Sequence, residues 1–354
     1  MLPYVFIYLC IFFFPILRKS FRNKEKYKNA YCTVVFISIL FVLGLRHPSM
    51  GIDLPGYLRS FHVLTSLSWK KIFSLSSYLN YEKGYIIFNK IIGELMFGSQ
   101  QFLLIICALF GIIPIWKLIR TRSLDIFLSM IIYLSLPIFL LQFSGLRQSI
   151  AIGICWSSIN FIEQKKFIKF ALVVLLASTF HYTAIVFFIA YFVYHIKITD
   201  QFRWLTILLF PLVYIVRRPL FLLLALIIKG EVTIKQTNAV TMMLVFAMMY
   251  IFVVVFCHKH YDERTNGYTN IFLCAALCMI FSSVYSTAIR IAYYFMPPLV
   301  LILPIALKKI KDVRWIIVIR TIIALCFIWF AFDSLIGTYW AMAYPYRAFW
   351  AGSY

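Results

Sequence analysis

The sequence has few charged residues, and acids are the scarcest of them. Charged residues make up 13% of the 354 residues and hydrophobic residues 63%, a composition that excludes an ordinary soluble domain. The 12 acids are opposed by 34 lysines and arginines, which gives a net charge of +22. Because most basic residues lie in short segments between apolar runs, this imbalance indicates membrane topology and contact with anionic lipid, and no nucleic acid partner is expected.

The sequence also lacks the motifs of several enzyme classes. It has no Walker motif, no HExxH and no cluster of His, Cys, Asp or Glu at the spacing of metal ligands. We therefore expect no metal ion and no cofactor. The eight cysteines form no CxxC pair and lie in or at the edges of apolar runs, so we interpret them as small buried hydrophobic residues.

Long apolar runs predict an all-α polytopic membrane protein with about 12 transmembrane helices, in a range of 11 to 14, forming a single domain over residues 1–354. The first run precedes its basic residues, so we interpret it as a retained span and not as a signal peptide. Residues 85–97 repeat apolar residues at helical spacing, with Asn89, Lys90 and Glu94 on the other face, which predicts an amphipathic interfacial helix. The predicted spans are 2–17, 30–45, 101–116, 125–143, 146–161, 170–181, 182–196, 204–216, 239–257, 270–288, 291–307 and 315–332.

Two neighbouring predicted spans, 170–181 and 182–196, have no loop between them. Either a sharp turn at His181 joins two helices, or the region is one long broken helix.

The distribution of the basic residues predicts how the bundle is oriented in the membrane. One set of alternate loops carries 20 of them in compact clusters, which assigns that side to the cytoplasm and both termini to the outside.

Four arginines interrupt or flank apolar segments on the predicted outer side: Arg46, Arg147, Arg290 and Arg347. A cation at membrane depth is costly, so several together indicate an anionic ligand such as a lipid diphosphate. For Arg46 the alternatives are an ion pair with Asp53 that closes a helix end, or contact with lipid headgroups. Arg147 lies at the unfavourable, positive end of a helix dipole, so it requires an anion nearby.

Three residues on the same predicted side could accept a proton: Asp53, Glu82 and His181. Glu82 precedes the amphipathic helix, so it could instead cap that helix. A single histidine such as His181 is often a structural residue, although its position at the outer edge favours contact with a ligand. The two acids rank above the histidine as candidate bases.

Short motifs occur in a fixed order along nearly the whole chain. They are Arg46 with Gly51-Ile52-Asp53, Glu82-Lys83-Gly84-Tyr85, Leu146-Arg147-Gln148 with Ala151, Phe180-His181, Arg290 with Tyr294-Phe295, and Pro345-Tyr346-Arg347. Together they make the chain resemble the EpsG-like branch of the Wzy-type polysaccharide polymerases. Two of them differ from the family pattern, at Ile52 and Leu54 around Asp53 and at Lys83 after Glu82.

The resemblance implies a fold similar to that of the C-type membrane glycosyltransferases. It further implies a metal-independent polymerase that joins oligosaccharide repeat units carried on undecaprenyl diphosphate, at the outer face of the bacterial cytoplasmic membrane. A chain-length regulator and a flippase of the same pathway would be its protein partners. Arg147 and Arg290 would bind the leaving diphosphate, Arg46 and Arg347 would support one of the two lipid diphosphates, and Gln148 and Tyr294 would assist.

Two other functions remain open on the sequence. A transporter or flippase of the same lipid-linked glycans would also use basic residues in a helical bundle, but they would line a path across the membrane. A membrane acyltransferase would require a histidine-centred site and a route for the acyl donor from the cytoplasm.

Overall fold

The computed structural model of the protein describes residues 1–75, 81–197, 199–229, 240–257, 262–284 and 287–352. It is 81% helical, and no β-strand forms among the residues it describes. An isolated antiparallel bridge joins Arg46 to Ala348. The predicted all-α class is confirmed, and it is the class in which each segment satisfies its own main-chain hydrogen bonds inside lipid.

The chain divides into two compact units, Met1–Ile185 with Ile322–Tyr354 (unit 1) and Val186–Thr321 (unit 2). The helix α18 (Val313–Gly337) begins in unit 2 and ends in unit 1. The other helices of unit 1 are α1 (Leu2–Phe13), α2 (Lys24–Gly44), α3 (Leu54–Ser66), α4 (Trp69–Leu75), α5 (Lys83–Leu95), α6 (Gln100–Arg122), α7 (Ile126–Ser135), α8 (Pro137–Ser144), α9 (Leu146–Ser157), α10 (Ile159–Glu163) and α11 (Phe167–Ser178). Unit 2 contains α12 (Phe188–His195), α13 (Asp200–Lys229), α14 (Val240–Cys257), α15 (Glu263–Ile280), α16 (Thr287–Ala292) and α17 (Leu299–Leu307).

Among the described residues, six helices are long and apolar enough to cross a membrane, or up to eight if each of two bent pairs is one span. These helices fit a multi-pass membrane protein. The count of about 12 spans is not confirmed, because several predicted spans correspond to helices such as α9 and α11, with 12 residues each, that are shorter than a bilayer requires. The six are Leu2–Ser20, Lys24–Gly44, Gln100–Arg122, Asp200–Leu223, Val240–Cys257 and Val313–Gly337.

Local sequence explains where several helices begin and bend. The side chain of Asn23 accepts hydrogen bonds from the main-chain N–H groups of Glu25 and Lys26, at 2.7 and 3.2 Å, and so caps α2. Between α7 and α8 the chain bends by 51°. Pro137 is the first residue of α8, where its missing N–H costs no helical hydrogen bond but interrupts the ladder from α7.

In unit 1, α6 packs between α2 and α9, and α3 packs against α5. The predicted amphipathic helix corresponds to α5, but the prediction of a polar outer face was wrong at two positions, because Asn89 and Lys90 are buried. The Lys90 ammonium donates to the main-chain oxygens of Thr65 and Leu67 at 3.0 and 2.6 Å. These carbonyls close the end of α3, so the buried charge stabilises a helix C-terminus.

In unit 2, α15 packs against α12 and α14. Two side-chain amides of α15 connect it to the end of α12, since Asn266 donates to the main-chain oxygen of Ile196 and Asn270 donates to those of Val193 and Ile196, each at 2.8 Å. The guanidinium of Arg203 is buried and donates to the side chains of Asn266 and Asn270. This cation is thus part of the unit's polar core.

Candidate functional site

The candidate site in unit 1 lies where the N-termini of two helices meet the C-terminal end of a third. Glu82 directly precedes α5, Arg147 lies in the first turn of α9, and His181 follows α11. The helix is interrupted just before His181: α11 ends at Ser178, Thr179 and Phe180 form a turn, and a 3₁₀ helix, Tyr182–Phe187, follows. The N–H of His181 donates to the main-chain oxygen of Ala177 at 3.1 Å.

Glu82 connects the other two residues through its two carboxylate oxygens. Its Oε2 accepts a hydrogen bond from Arg147 Nη1 at 2.5 Å, and its Oε1 lies 3.2 Å from His181 Nδ1. The main-chain N–H of Tyr182 also donates to Oε1, at 3.1 Å. Glu82 is the N-cap residue of α5, as the alternative of a helix cap has it, but its side chain makes no capping hydrogen bond and instead contacts Arg147, His181 and Tyr182.

Arg147 is held by aromatic residues as well as by the carboxylate. Its Nε donates to the Tyr57 hydroxyl at 3.4 Å, and its guanidinium carbon lies 4.7 Å from the centre of the Tyr81 ring. The Tyr57 and Tyr81 ring centres are 5.7 Å apart. Stacking on aromatic faces while presenting charged N–H groups is typical of arginines that bind anions.

Glu82 keeps its negative charge in this environment. Burial alone would raise the pKa of its carboxyl, but the hydrogen bonds from His181 and from the main chain, together with the charge of Arg147, lower the pKa to about 2. A carboxylate that releases its proton so readily is a weak proton acceptor at neutral pH. The geometry therefore favours a role in orienting His181 and Arg147.

The close approach of α5 to the end of α11 depends on Gly84. A Cβ atom added there would lie 2.1 Å from Thr179 Oγ1 and 2.8 Å from the Thr179 main-chain oxygen. The main-chain N–H of Tyr85 donates to the same Thr179 oxygen at 3.3 Å. Only a residue without a side chain allows this contact, which brings Glu82 within reach of His181.

Asp53 lies in the loop between α2 and α3, next to the start of α9. The Ser144 hydroxyl donates to Asp53 Oδ2 and accepts from the Asp53 N–H, both at 3.2 Å. Gly51 permits this contact, because its φ of +112° is rarely adopted by other residues and an added Cβ would lie 2.1 Å from the main-chain oxygen of Phe143. The side chain of Asp53 is exposed, so it is accessible to a ligand.

Arg46 occupies a different environment from Arg147. It is fully buried, and it donates to the main-chain oxygens of Leu43 at 2.5 Å and Gln142 at 2.9 Å. The ion pair with Asp53 does not form, since Arg46 donates to carbonyls at the ends of α2 and α8 while Asp53 accepts from Ser144. This position favours a structural role for Arg46 rather than contact with a ligand.

The remaining predicted residues are divided between the units. Arg347 lies in the segment 338–352, the C-terminal strap, where its main-chain oxygen accepts from the N–H of His47 at 2.8 Å. Gln148 follows Arg147 in α9 and is buried. Arg290 belongs to α16 of unit 2, and Tyr294 is buried in the short 3₁₀ helix that follows.

Three residues of the site were missed from the sequence: Tyr57, Tyr81 and Ser144. Each stands close to a predicted residue, since Tyr81 precedes Glu82, Ser144 lies three residues before Arg147, and Tyr57 is one helical turn after Asp53. For the two tyrosines, an aromatic residue within a turn of a predicted charge would have been the available signal. Among the described residues, no group of three or more His, Cys, Asp or Glu side chains is arranged to hold a metal ion.

The sequence matches a known family. The model of the EpsG family covers residues 29–348, which include every residue of the site. The chain belongs to the EpsG family. Membership makes this a polysaccharide polymerase-like membrane protein, and it confirms the resemblance found in the sequence. No curated protein and no solved structure matches the chain of this EpsG-family protein.

Proposed function

We propose that this EpsG-family protein is a membrane glycosyltransferase that polymerises repeat units carried on undecaprenyl diphosphate, at the outer face of the cytoplasmic membrane. The observation that carries the proposal is the bridging position of Glu82 between Arg147 and His181. One carboxylate orients a cation suited to a diphosphate and an imidazole suited to proton transfer, so a single small site contains both groups that the reaction needs.

In the proposed reaction, an acceptor hydroxyl of one lipid-linked unit attacks the anomeric carbon of the growing chain. The bond from that carbon to the donor's diphosphate breaks, and the lipid diphosphate leaves with the bonding electron pair. A direct displacement of this kind inverts the anomeric configuration. Arg147 stabilises the charge that develops on the diphosphate, because a guanidinium donates two parallel hydrogen bonds to phosphate oxygens.

His181 is the preferred proton acceptor in this reaction. With its Nδ1 proton directed to Glu82 Oε1, its Nε2 carries the lone pair that accepts the acceptor hydroxyl's proton. His181 is thus placed before Glu82 as proton acceptor, which reverses the ranking made from the sequence, because the low pKa of Glu82 makes its carboxylate a weak base. Asp53 is the second candidate, and Arg290 and Arg347 remain candidates for the other diphosphate.

The test is incubation of the purified protein with lipid-linked repeat units, followed by gel analysis. We expect a ladder of polymers that persists in EDTA. Arg147→Ala should reduce the rate of polymerisation by about 10²–10³-fold, the usual effect of removing one donor to a developing oxyanion. Arg59→Ala is the matched control, because Arg59 lies on the exposed face of α3.

The same assay separates the polymerase from a flippase. A flippase would move single repeat units across a vesicle membrane without joining them, and Arg147→Ala would leave product length unchanged. Transport of single units by a purified protein that forms no ladder would therefore overturn the proposal. A normal ladder from Arg147→Ala would overturn the assigned role of Arg147.

A further inference from the structure

The C-terminal strap, residues 338–352, presents exposed aromatic side chains while its main chain is firmly held. Tyr339 is 79% exposed and Trp350 is 69% exposed. The strap's main chain pairs with the loop 45–52, since the N–H of Phe349 donates to Leu45 O at 2.9 Å and the N–H of Ile52 donates to Trp340 O at 3.4 Å. The exposed rings therefore belong to a folded segment that is held by main-chain hydrogen bonds.

The strap lies where candidate membrane spans of unit 1 end. α18 ends at Gly337, immediately before the strap, and α2 ends at Gly44, two residues before the Arg46 that bridges to Ala348. The beginning of α1 reaches the same place, because the Tyr4 hydroxyl donates to the main-chain oxygen of Ala343. Three spans thus have one end at the level of the strap.

The exposed face of the strap continues the apolar outer surface of these spans. Ile336, in the last turn of α18, is 58% exposed, and Phe41, in the last turn of α2, is also exposed. In a membrane such side chains face lipid. Tyr and Trp are the residues that concentrate where lipid tails give way to headgroups, because each ring has an apolar body and a polar tip.

We propose that the exposed aromatic face of the C-terminal strap binds the phospholipid headgroup layer of the bilayer. Because the strap pairs with the loop 45–52, which leads directly into Asp53, this contact sets the depth of the candidate site relative to the lipid phosphates. The proposal does not require the polymerase reaction, since it concerns the phospholipid around the protein.

The test places a fluorescent amino acid at position 350 of the full-length protein, in vesicles of phosphatidylethanolamine and phosphatidylglycerol. The vesicles contain quenching lipids labelled either near the headgroup or near the end of the acyl chain. A second protein carries the probe in place of Trp329, an exposed residue of α18 that lies eight residues, about 12 Å, before Gly337. A third carries it in place of Lys26, an exposed residue near the opposite end of α2.

At position 350 we expect a blue shift of emission on reconstitution and stronger quenching by the headgroup label than by the acyl-chain label. At position 329 the order of the two labels should reverse. Quenching at position 350 by aqueous iodide alone, without quenching by either lipid, would overturn the proposal. So would an emission shift at position 350 that requires added polysaccharide, since the strap would then bind glycan.

A second measurement uses a variant that lacks two exposed aromatic side chains of the strap but should still fold. Tyr339→Ser with Trp350→Ser changes only exposed side chains, so the protein should fold with a similar melting temperature in detergent. In vesicles we expect the double variant to lose headgroup quenching of a probe placed at the exposed Met342. Unchanged quenching of that probe would show that the aromatic rings do not hold the strap in the headgroup layer.

Discussion

Glu82 accepts hydrogen bonds on both oxygens while it is only partly shielded from solvent, and this has a measurable consequence for stability. A carboxylate whose pKa is lower in the folded protein stabilises it at every pH above the pKa of the unfolded chain. That contribution disappears as the pH falls to the folded value. For Glu82 the window lies between the ordinary value of 4.5 and about 2.

We therefore expect Glu82→Gln to show a smaller loss of melting temperature than the wild type when the pH is lowered from about 7 to about 3. At pH 7 the variant should melt at a lower temperature, because it loses the ion pair with Arg147. Thermal unfolding of the purified protein measures both effects. Glu94→Gln is the control, since Glu94 is exposed and its pair with Lys90 lies away from the site; equal pH profiles of wild type and Glu82→Gln would contradict this account.

Arg46 and Arg147 carry the same charge but should respond differently to substitution. Arg46→Met leaves the main-chain oxygens of Leu43 and Gln142 without their buried donor, at a cost of about 1–3 kcal/mol each. We expect its melting temperature to fall while inorganic pyrophosphate inhibits the remaining activity as in the wild type. Arg147→Lys should weaken inhibition by pyrophosphate, because an ammonium lacks the two-pronged geometry of the guanidinium.

The inhibition constant for pyrophosphate distinguishes these roles even if both variants are less active. Weaker inhibition in Arg46→Met with an unchanged melting temperature would return Arg46 to the diphosphate-binding role predicted from the sequence.

At the scale of elements, the site depends on how closely α5 approaches the end of α11. Gly84→Ala places a methyl group 2.1 Å from Thr179 Oγ1 and 2.8 Å from the Thr179 main-chain oxygen, and the latter cannot rotate away. We expect the two helices to separate, which lengthens the Glu82–His181 contact and reduces the rate of polymerisation more than it reduces stability. Ladder assays and thermal unfolding of the same preparation measure the two effects.

Gly56→Ala provides the matched control, since no atom lies within 4 Å of the added Cβ and the residue is in the first turn of α3. It should keep wild-type activity, with a stability equal to or slightly above that of the wild type. If Gly84→Ala and Gly56→Ala behave alike, the close approach at Gly84 is not what positions Glu82.

At the scale of the whole molecule, the sequence was sufficient for the helical class but not for the packing of the site. Apolar runs predicted a helix in each assigned span, because length and hydropathy are local properties. The buried position of Lys90 depends on the end of α3, 25 residues earlier, so local periodicity could not predict it. The Glu82–Arg147 pair joins residues 65 apart, so the pairing does not follow from their neighbours in sequence.

The orientation of unit 1, which decides the side of the membrane that the site faces, is a prediction from the basic residues. The basic clusters assign the start of α2 to the cytoplasm, and α2 is a candidate span whose other end lies beside Arg46. The proposed function requires the site to face the outer side of the membrane, because the repeat units would be joined there. Two exposed lysines, Lys26 in α2 and Lys83 beside Glu82, provide matched positions to test it.

We expect Lys83→Cys to react with a membrane-impermeant maleimide in intact cells, and Lys26→Cys to react only after lysis. Both are made in a Cys326→Ala background, which removes the one cysteine that is exposed among the described residues. Reaction of Lys26→Cys before lysis, with Lys83→Cys protected, would place the Glu82–Arg147–His181 site in the cytoplasm. The diphosphate-binding geometry would then still stand, but the substrate would have to reach it from the cytoplasmic leaflet, which a polymerase of exported repeat units does not allow.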